Sequence, residues 1–106
     1  IQILMLGFVP LENNLPERVI RDISTFAKKH SVEKVILFGS RARGTNTERS
    51  DIDIAVCGVE DIEKLREELE DITTLYTIDV VDMDECGNEL LLEDIKQYGR
   101  KIYEKI

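Results

Sequence analysis

Asp51 and Asp53 stand two residues apart in the run Asp51-Ile52-Asp53-Ile54-Ala55-Val56. The alternation reads as a strand, with both carboxylates on one face and Ile52, Ile54 and Val56 on the other. Strand geometry sets the two acids roughly 6.5 Å apart along the chain. Acids that face the same way with no base between them repel, and each tends to hold its proton unless a cation sits nearby. A divalent cation answers that need. Mg²⁺ prefers oxygen ligands and is commonly held by one or two carboxylates together with substrate phosphates.

The residues upstream suit such a phosphate. Val35, Ile36, Leu37 and Phe38 form an unbroken, partly β-branched apolar run that stops at Gly39, the pattern of a strand buried on both faces. Gly39 lets the chain turn sharply and lets a ligand come close to the backbone, and Ser40 adds a small hydroxyl and an N–H. Arg41 and Arg43 follow, then Gly44 and the loop Thr45-Asn46-Thr47-Glu48-Arg49-Ser50, a local positive patch in an acidic protein. A third carboxylate is sought for the ion that activates an attacking oxygen. Thr77 to Met83 is the other strand-like run with acids inside it. There Asp79 points away from Ile78 and Val80, so it can face a cleft while they face the core; Asp82 falls on their side and is set aside. Gly39 to Gly44 also matches the glycine spacing of a P-loop, but Thr45 stands where that motif needs its phosphate-reaching lysine.

Gly39-Ser40, ten residues, Asp51-x-Asp53 and a later strand with Asp79 resembles the nucleotidyltransferase superfamily of DNA polymerase beta. Within it the chain is most similar to the minimal nucleotidyltransferases (MNT proteins), including the antitoxins of HEPN-MNT toxin–antitoxin pairs, from about residue 16 onward. The resemblance implies an α/β (α+β) fold with a small mixed sheet flanked by helices. It implies that Asp51 and Asp53 bind two Mg²⁺ ions, that Asp79 assists the attacking hydroxyl at the same metal centre, and that Gly39, Ser40, Arg41, Arg43 and Ser50 hold the triphosphate of ATP. The implied reaction moves AMP to an acceptor hydroxyl, a tyrosine on a cognate HEPN toxin. Two other readings stay open: an antitoxin that masks its partner by contact alone, and a transferase for a small cationic molecule such as an aminoglycoside.

Composition bounds these readings. A chain of 106 residues with 42% hydrophobic content makes one domain, 1–106, able to bury roughly 60–70% of its unfolded surface. Its formal charge of −8 lacks the broad basic face that direct nucleic-acid binding requires. Substrate selection is then expected from a partner or from a dimer interface between copies of the chain. Cys57 and Cys86 are too few for a zinc cluster and fit reduced thiols in a cytoplasmic protein. The apolar opening Ile1 to Val9 is too short to span a membrane and lacks signal-peptide flanks; an edge strand is expected there, within a poorly defined segment 1–15.

The positioning elements follow from periodicity. Pro16 suits a helix start, and Val19, Ile20, Ile23, Phe26 and Ala27 recur at helical spacing up to Lys28 and Lys29, where cations complement the helix dipole. His30, at that helix end, is given no catalytic role. Val59 to Ile72 reads as an acidic helix with Ile62, Leu65, Leu69 and Ile72 inward and a solvated opposite face. It crosses between the two Asp-bearing strands as a βαβ-like unit. Glu89 to Ile106 reads as a last helix with Leu91, Leu92, Ile95, Tyr98, Ile102 and Ile106 inward, weakened at Gly99 by about 1 kcal/mol against alanine.

Overall fold

The apolar run that ends at Gly39 lies inside a four-stranded sheet, with a second strand on either side of it. The computed structural model describes residues 15–47, 50–72 and 76–105. In chain order they form α1 (Glu17–Lys29), β1 (Lys34–Phe38), α2 (Ser40–Arg43), β2 (Ile52–Cys57), α3 (Ile62–Glu70), β3 (Ile78–Asp82), α4 (Glu89–Tyr98) and β4 (Arg100–Glu104). The strand order is β3-β2-β1-β4. β1 runs antiparallel to β2 and to β4, and β2 runs parallel to β3. The parallel pair requires a crossover, and α3 supplies it, as expected for strands that both carry aspartates.

Alternation along the strands sorts side chains onto two unequal faces. On one face, Val35, Leu37, Ile52, Ile54, Val56 and Ile102 pack beneath Val19, Ile20, Ile23 and Ala27 of α1 and Leu65 and Leu69 of α3. Each such side chain, fully buried, contributes about 1.5–3 kcal/mol, so this layer carries most of the stability. On the other face, Phe38, Ala55 and Ile95 form a small cluster with Ile36, Val81, Met83 and Leu91 at its margin. Asp53 and Asp79 share that second face, since each is two residues from Ala55 or Val81 on its strand.

Two short contacts tie the helices down. Asp61 caps α3, its side chain accepting from the Lys64 N–H at 3.1 Å, as an N-cap aspartate does. Glu68 of α3 reaches the end of α1, where Lys29 Nζ and His30 Nε2 each lie 3.0 Å from its carboxylate. His30 therefore serves packing between helices, and the polar side of α3 is not solvated throughout. Those two contacts hold the Glu68 carboxyl below its ordinary pKa, the His30 hydrogen bond first. Cys57 and Cys86 are free thiols; Cys57 Sγ sits 3.4 Å from Met83 Sδ, and burial raises its pKa.

Two expectations change, and a third falls outside the described residues. Of segment 1–15 only Leu15 falls within the described residues, 1% exposed in the main core; the edge strand expected at Ile1 to Val9 lies outside them, as does Ile106. The start of the arginine loop is one helical turn, α2, rather than irregular backbone. The last helix stops at Tyr98, and the chain continues as β4, pairing with β1. Tyr98 is 46% exposed instead of inward. Helical periodicity and strand alternation both place Ile102 inward, so the segment is ambiguous on pattern alone. The non-local ladder with β1 decides it.

Gly99 is where the two patterns part, and its lack of a side chain is what lets the chain turn there. A Cβ on Gly99 would meet the Ile95 carbonyl oxygen and come within 2.6 Å of Ile36 Cγ2. Were residues 89–106 one helix, Gly99→Ala would stabilise the protein by about 1 kcal/mol. In this fold it must push α4 off β1, and a loss of about 1–3 kcal/mol is expected, read as a lower urea midpoint at unchanged slope.

Candidate active site

The carbonyl end of β1 and the starting ends of β2 and β3 meet at one edge of the sheet. There Asp53 is paired with Phe38 across the antiparallel ladder and with Asp79 across the parallel one. Directly opposed residues of neighbouring strands are roughly 4.8 Å apart, so the Asp53 and Asp79 carboxyl groups fall within hydrogen-bonding reach. Asp51 precedes β2 by one residue and is exposed, Asp53 is half-buried and Asp79 is exposed. The structure thus brings all three predicted acids to one end of the sheet. Burial, then the charges of Asp79 and Asp51 and the hydrogen bond with Asp79, push the Asp53 carboxyl above the ordinary aspartate range against the pull of Arg43.

Gly39 makes this placement possible. Its backbone, φ 76 and ψ −157, lies in a region that glycine alone occupies readily. A side chain there would also run into the Asp53 carboxylate, since a Cβ would come within 3.2 Å of Asp53 Cγ and closer still to Oδ2. The Gly39 carbonyl accepts from Ala42 N and Arg43 N, both at 3.1 Å, which closes the turn and holds Ser40 beside the acids.

The two arginines of the turn have different surroundings. Arg41 is 3% exposed. Its Nε and Nη2 donate to the Ser50 carbonyl at 3.1 and 3.0 Å, and its guanidinium lies 4.6 Å from the centre of the Tyr76 ring. Ser50 Oγ in turn accepts from Thr47 N at 2.9 Å. Arg41 thereby fastens the chain just before Asp51 to the body of the protein. Arg43 is exposed and faces Asp94 of α4, with Nη1 3.3 Å from Oδ2. Tyr76 and Asp94 were not singled out from the sequence; each lies dozens of residues from its arginine, and no local pattern marks either.

Among the described residues, no group of three or more His, Cys, Asp and Glu side chains is placed to hold a metal ion by itself. The donor set is instead an open one: hard carboxylate oxygens, crowded with like charge, beside a serine turn. That suits Mg²⁺, which keeps part of its coordination shell for water and phosphate oxygen. The crowding at Asp53 is the observation that supports the fit, because a cation relieves the repulsion that raises its pKa.

Comparison with known proteins bears on the fold and the family. No curated protein matches the chain. A solved toxin–antitoxin structure with AMP-PNP superposes with a TM-score of 0.67 at 24% identity, over 86% of this chain and 75% of that one. The toxin–antitoxin complex MntA-HepT gives 0.62 at 20% identity, over 84% and 73%, and a mutant form of the same pair gives 0.66 at 22%, over 81% and 73%. These similarities show a shared fold, the one expected from the minimal nucleotidyltransferase resemblance. Residues 21–106 match the family described as Polymerase beta, Nucleotidyltransferase, and the chain belongs to that nucleotidyltransferase family.

Proposed function

We propose that the protein transfers AMP from ATP to an acceptor hydroxyl, a tyrosine on a partner HEPN-type toxin, and so acts as that toxin's antitoxin. The observation that carries this reading is the direct opposition of Asp53 and Asp79 beside the Gly39-Ser40 turn. The similar solved structures, toxin–antitoxin complexes of which one contains AMP-PNP, support the choice of donor and partner.

In this reading Asp51, Asp53 and Asp79 would hold two Mg²⁺ ions, which supply charge neutralisation at the triphosphate and a lowered pKa at the acceptor hydroxyl. Ser40, Arg43 and Ser50 orient the phosphates. Asp79, exposed at the start of its strand, takes the acceptor's proton. The acceptor oxygen then bonds to the α-phosphorus as the bond to the β-phosphate oxygen breaks, and pyrophosphate leaves. Little covalent work falls to the protein, so position and charge carry the rate. Arg41, buried against Tyr76, acts on the site through the 45–50 loop and not by touching phosphate.

The direct test is intact-mass spectrometry of a candidate toxin after incubation with the protein, Mg²⁺ and ATP. A gain of one or more AMP units is expected, and Asp53→Ala should slow it by at least about a hundredfold. Full transfer by Asp53→Ala would sink the proposal; tight binding without any mass change would favour masking by contact.

Stability gives a second test. Because the Asp53 pKa is raised in the fold, its stabilising contribution is complete below the unfolded value near 3.8 and is lost as pH rises through the folded pKa. Asp53→Asn should therefore melt a few degrees higher than wild type at pH 7 without divalent cations, with the gap closing toward pH 4. Adding Mg²⁺ should stabilise wild type and not the variant.

Arg41 gives a third. Arg41→Met removes the loop contacts and should raise the KM for ATP about five- to tenfold as well as lower the melting temperature, while Arg41→Lys recovers only part of either. An unchanged KM would show that the loop needs no brace.

A further inference from the structure

β3 ends the sheet on the side of the acids, and its ladder to β2 fixes which of its backbone groups are spent. The Thr77 carbonyl accepts from the Ile52 N–H at 2.8 Å, and the Met83 N–H donates to the Val56 carbonyl at 2.9 Å. Peptide groups alternate in direction along a strand, so Ile78, Val80 and Asp82 turn their N–H and C=O groups away from β2. Among the described residues no strand pairs with that outer edge. One group on it is taken, the Val80 carbonyl, to which Arg66 of α3 donates from Nη2 at 2.9 Å. The stretch beside the acids, at Ile78, lies beyond that bond.

Side chains along the edge are only part covered. Ile78 and Val80 are half-buried at the margin of the main layer, whereas their β2 neighbours Ile52 and Ile54 are fully buried. Asp79, between them, is exposed on the opposite face and stands level with Asp53. A strand laid against this edge therefore meets apolar surface on one face and carboxylates on the other. Charge around it is negative. Arg66 is already paired with Glu63 at 2.8 Å, Glu70 lies one turn further along the same side of α3, and Asp82 closes β3. A second copy of this chain is a poor occupant, because edge-to-edge pairing sets Asp79 and Asp82 of both copies in one ladder, like charge beside like.

We propose that the acceptor is an extended, basic segment of the partner protein that adds to β3 as one more strand, antiparallel, with its tyrosine opposite Asp79. This docking mode rests on the transferase reading and adds to it how the acceptor is held. Ile78 offers both its N–H and its carbonyl, and Arg66 ends the free edge at Val80, so a short segment beside the acids is what fits. In an antiparallel pair, the residue opposite Asp79 is not hydrogen-bonded to it; such pairs stand roughly 4.5 Å apart at Cα, with their side chains adjacent. That side chain shares the face of Asp79 and Asp53, which sets the hydroxyl beside the group that takes its proton. The residues before and after the tyrosine cover Val80 and Ile78, and flanking cations meet Glu63, Glu70 and Asp82. Main-chain bonds hold the segment, and alternate side chains select it.

Fluorescence anisotropy of a labelled peptide, Lys-Arg-Val-Tyr-Val-Arg-Lys, titrated with the full chain in the absence of nucleotide tests this. Binding is expected, and glutamate in place of the four cations should abolish it. N-methylation of the valine after the tyrosine removes the N–H that faces the Ile78 carbonyl and should weaken binding by about five- to tenfold, the size of a lost backbone hydrogen bond. N-methylation of the tyrosine, whose N–H points away from β3, should change it less than about twofold. On the protein, Ile78→Pro removes an outward N–H and spares the bonds to β2; a similar loss is expected, and the peptide series decides the matter should that variant not fold. Absence of binding, equal affinity for the two methylated peptides, or binding that the acidic peptide shares overturns the proposal. With Mg²⁺ and ATP added, a gain of AMP on the tyrosine is expected by intact mass. A peptide that binds in the alternating pattern and is never labelled leaves the strand site standing and counts against the transferase reading, while labelling without the alternation does the reverse.

Discussion

Like charge held at close range is the constraint around which this fold is arranged. Asp53 and Asp79 oppose each other on neighbouring parallel strands, with Asp51 two residues away and exposed. Nothing in a folded chain favours that grouping by itself, and the raised Asp53 pKa is the mark of its cost. The cost is borne by the opposite face of the same strands. Ile52, Ile54 and Val56 are all fully buried beneath α1 and α3, and a one-residue slip of β2 would expose all three. The register that buries the isoleucines is the register that crowds the acids.

A second demand is that the acids sit at a place a large anion can reach. Gly39 meets it by leaving out a side chain where the Asp53 carboxylate leans over the backbone. Arg41 meets it from the other side. Arg41 is buried, its Nε and Nη2 donate to the Ser50 carbonyl and its guanidinium lies over Tyr76. It gives the loop a fixed end, and the fixed end is Asp51. Arg43, by contrast, faces solvent and pairs with Asp94.

How far this could be read from residues alone depends on whether the signal was local. The Asp-x-Asp strand, the glycine turn and the crossover helix each carry their pattern within a few residues, and each stands where the pattern puts it. Asp79 was legible for the same reason: only one of the acids in its strand alternates away from Ile78 and Val80. The last segment was not legible, because its inward residue, Ile102, suits a helix and a strand alike. What separates them is the ladder with β1, a pairing between residues far apart in sequence. The surroundings of Arg41 were hidden for a similar reason. Nothing near Arg41 in the sequence marks Tyr76, 35 residues on, as the ring its guanidinium lies over.

The same long-range placement brings the last strand to the end of the sheet where the acids stand. β4 pairs with the strand that ends at Gly39, so the final residues of the chain return to the edge where its chemistry begins. A single helix in that position would have carried Arg100 away from the turn. As a strand, the segment brings Arg100 against the Ala42 carbonyl. Central and edge strands therefore divide the work. β1 and β2, the most buried strands, fix the register at which the acids stand, while β4, on the sheet's outer edge, brings Arg100 beside α2.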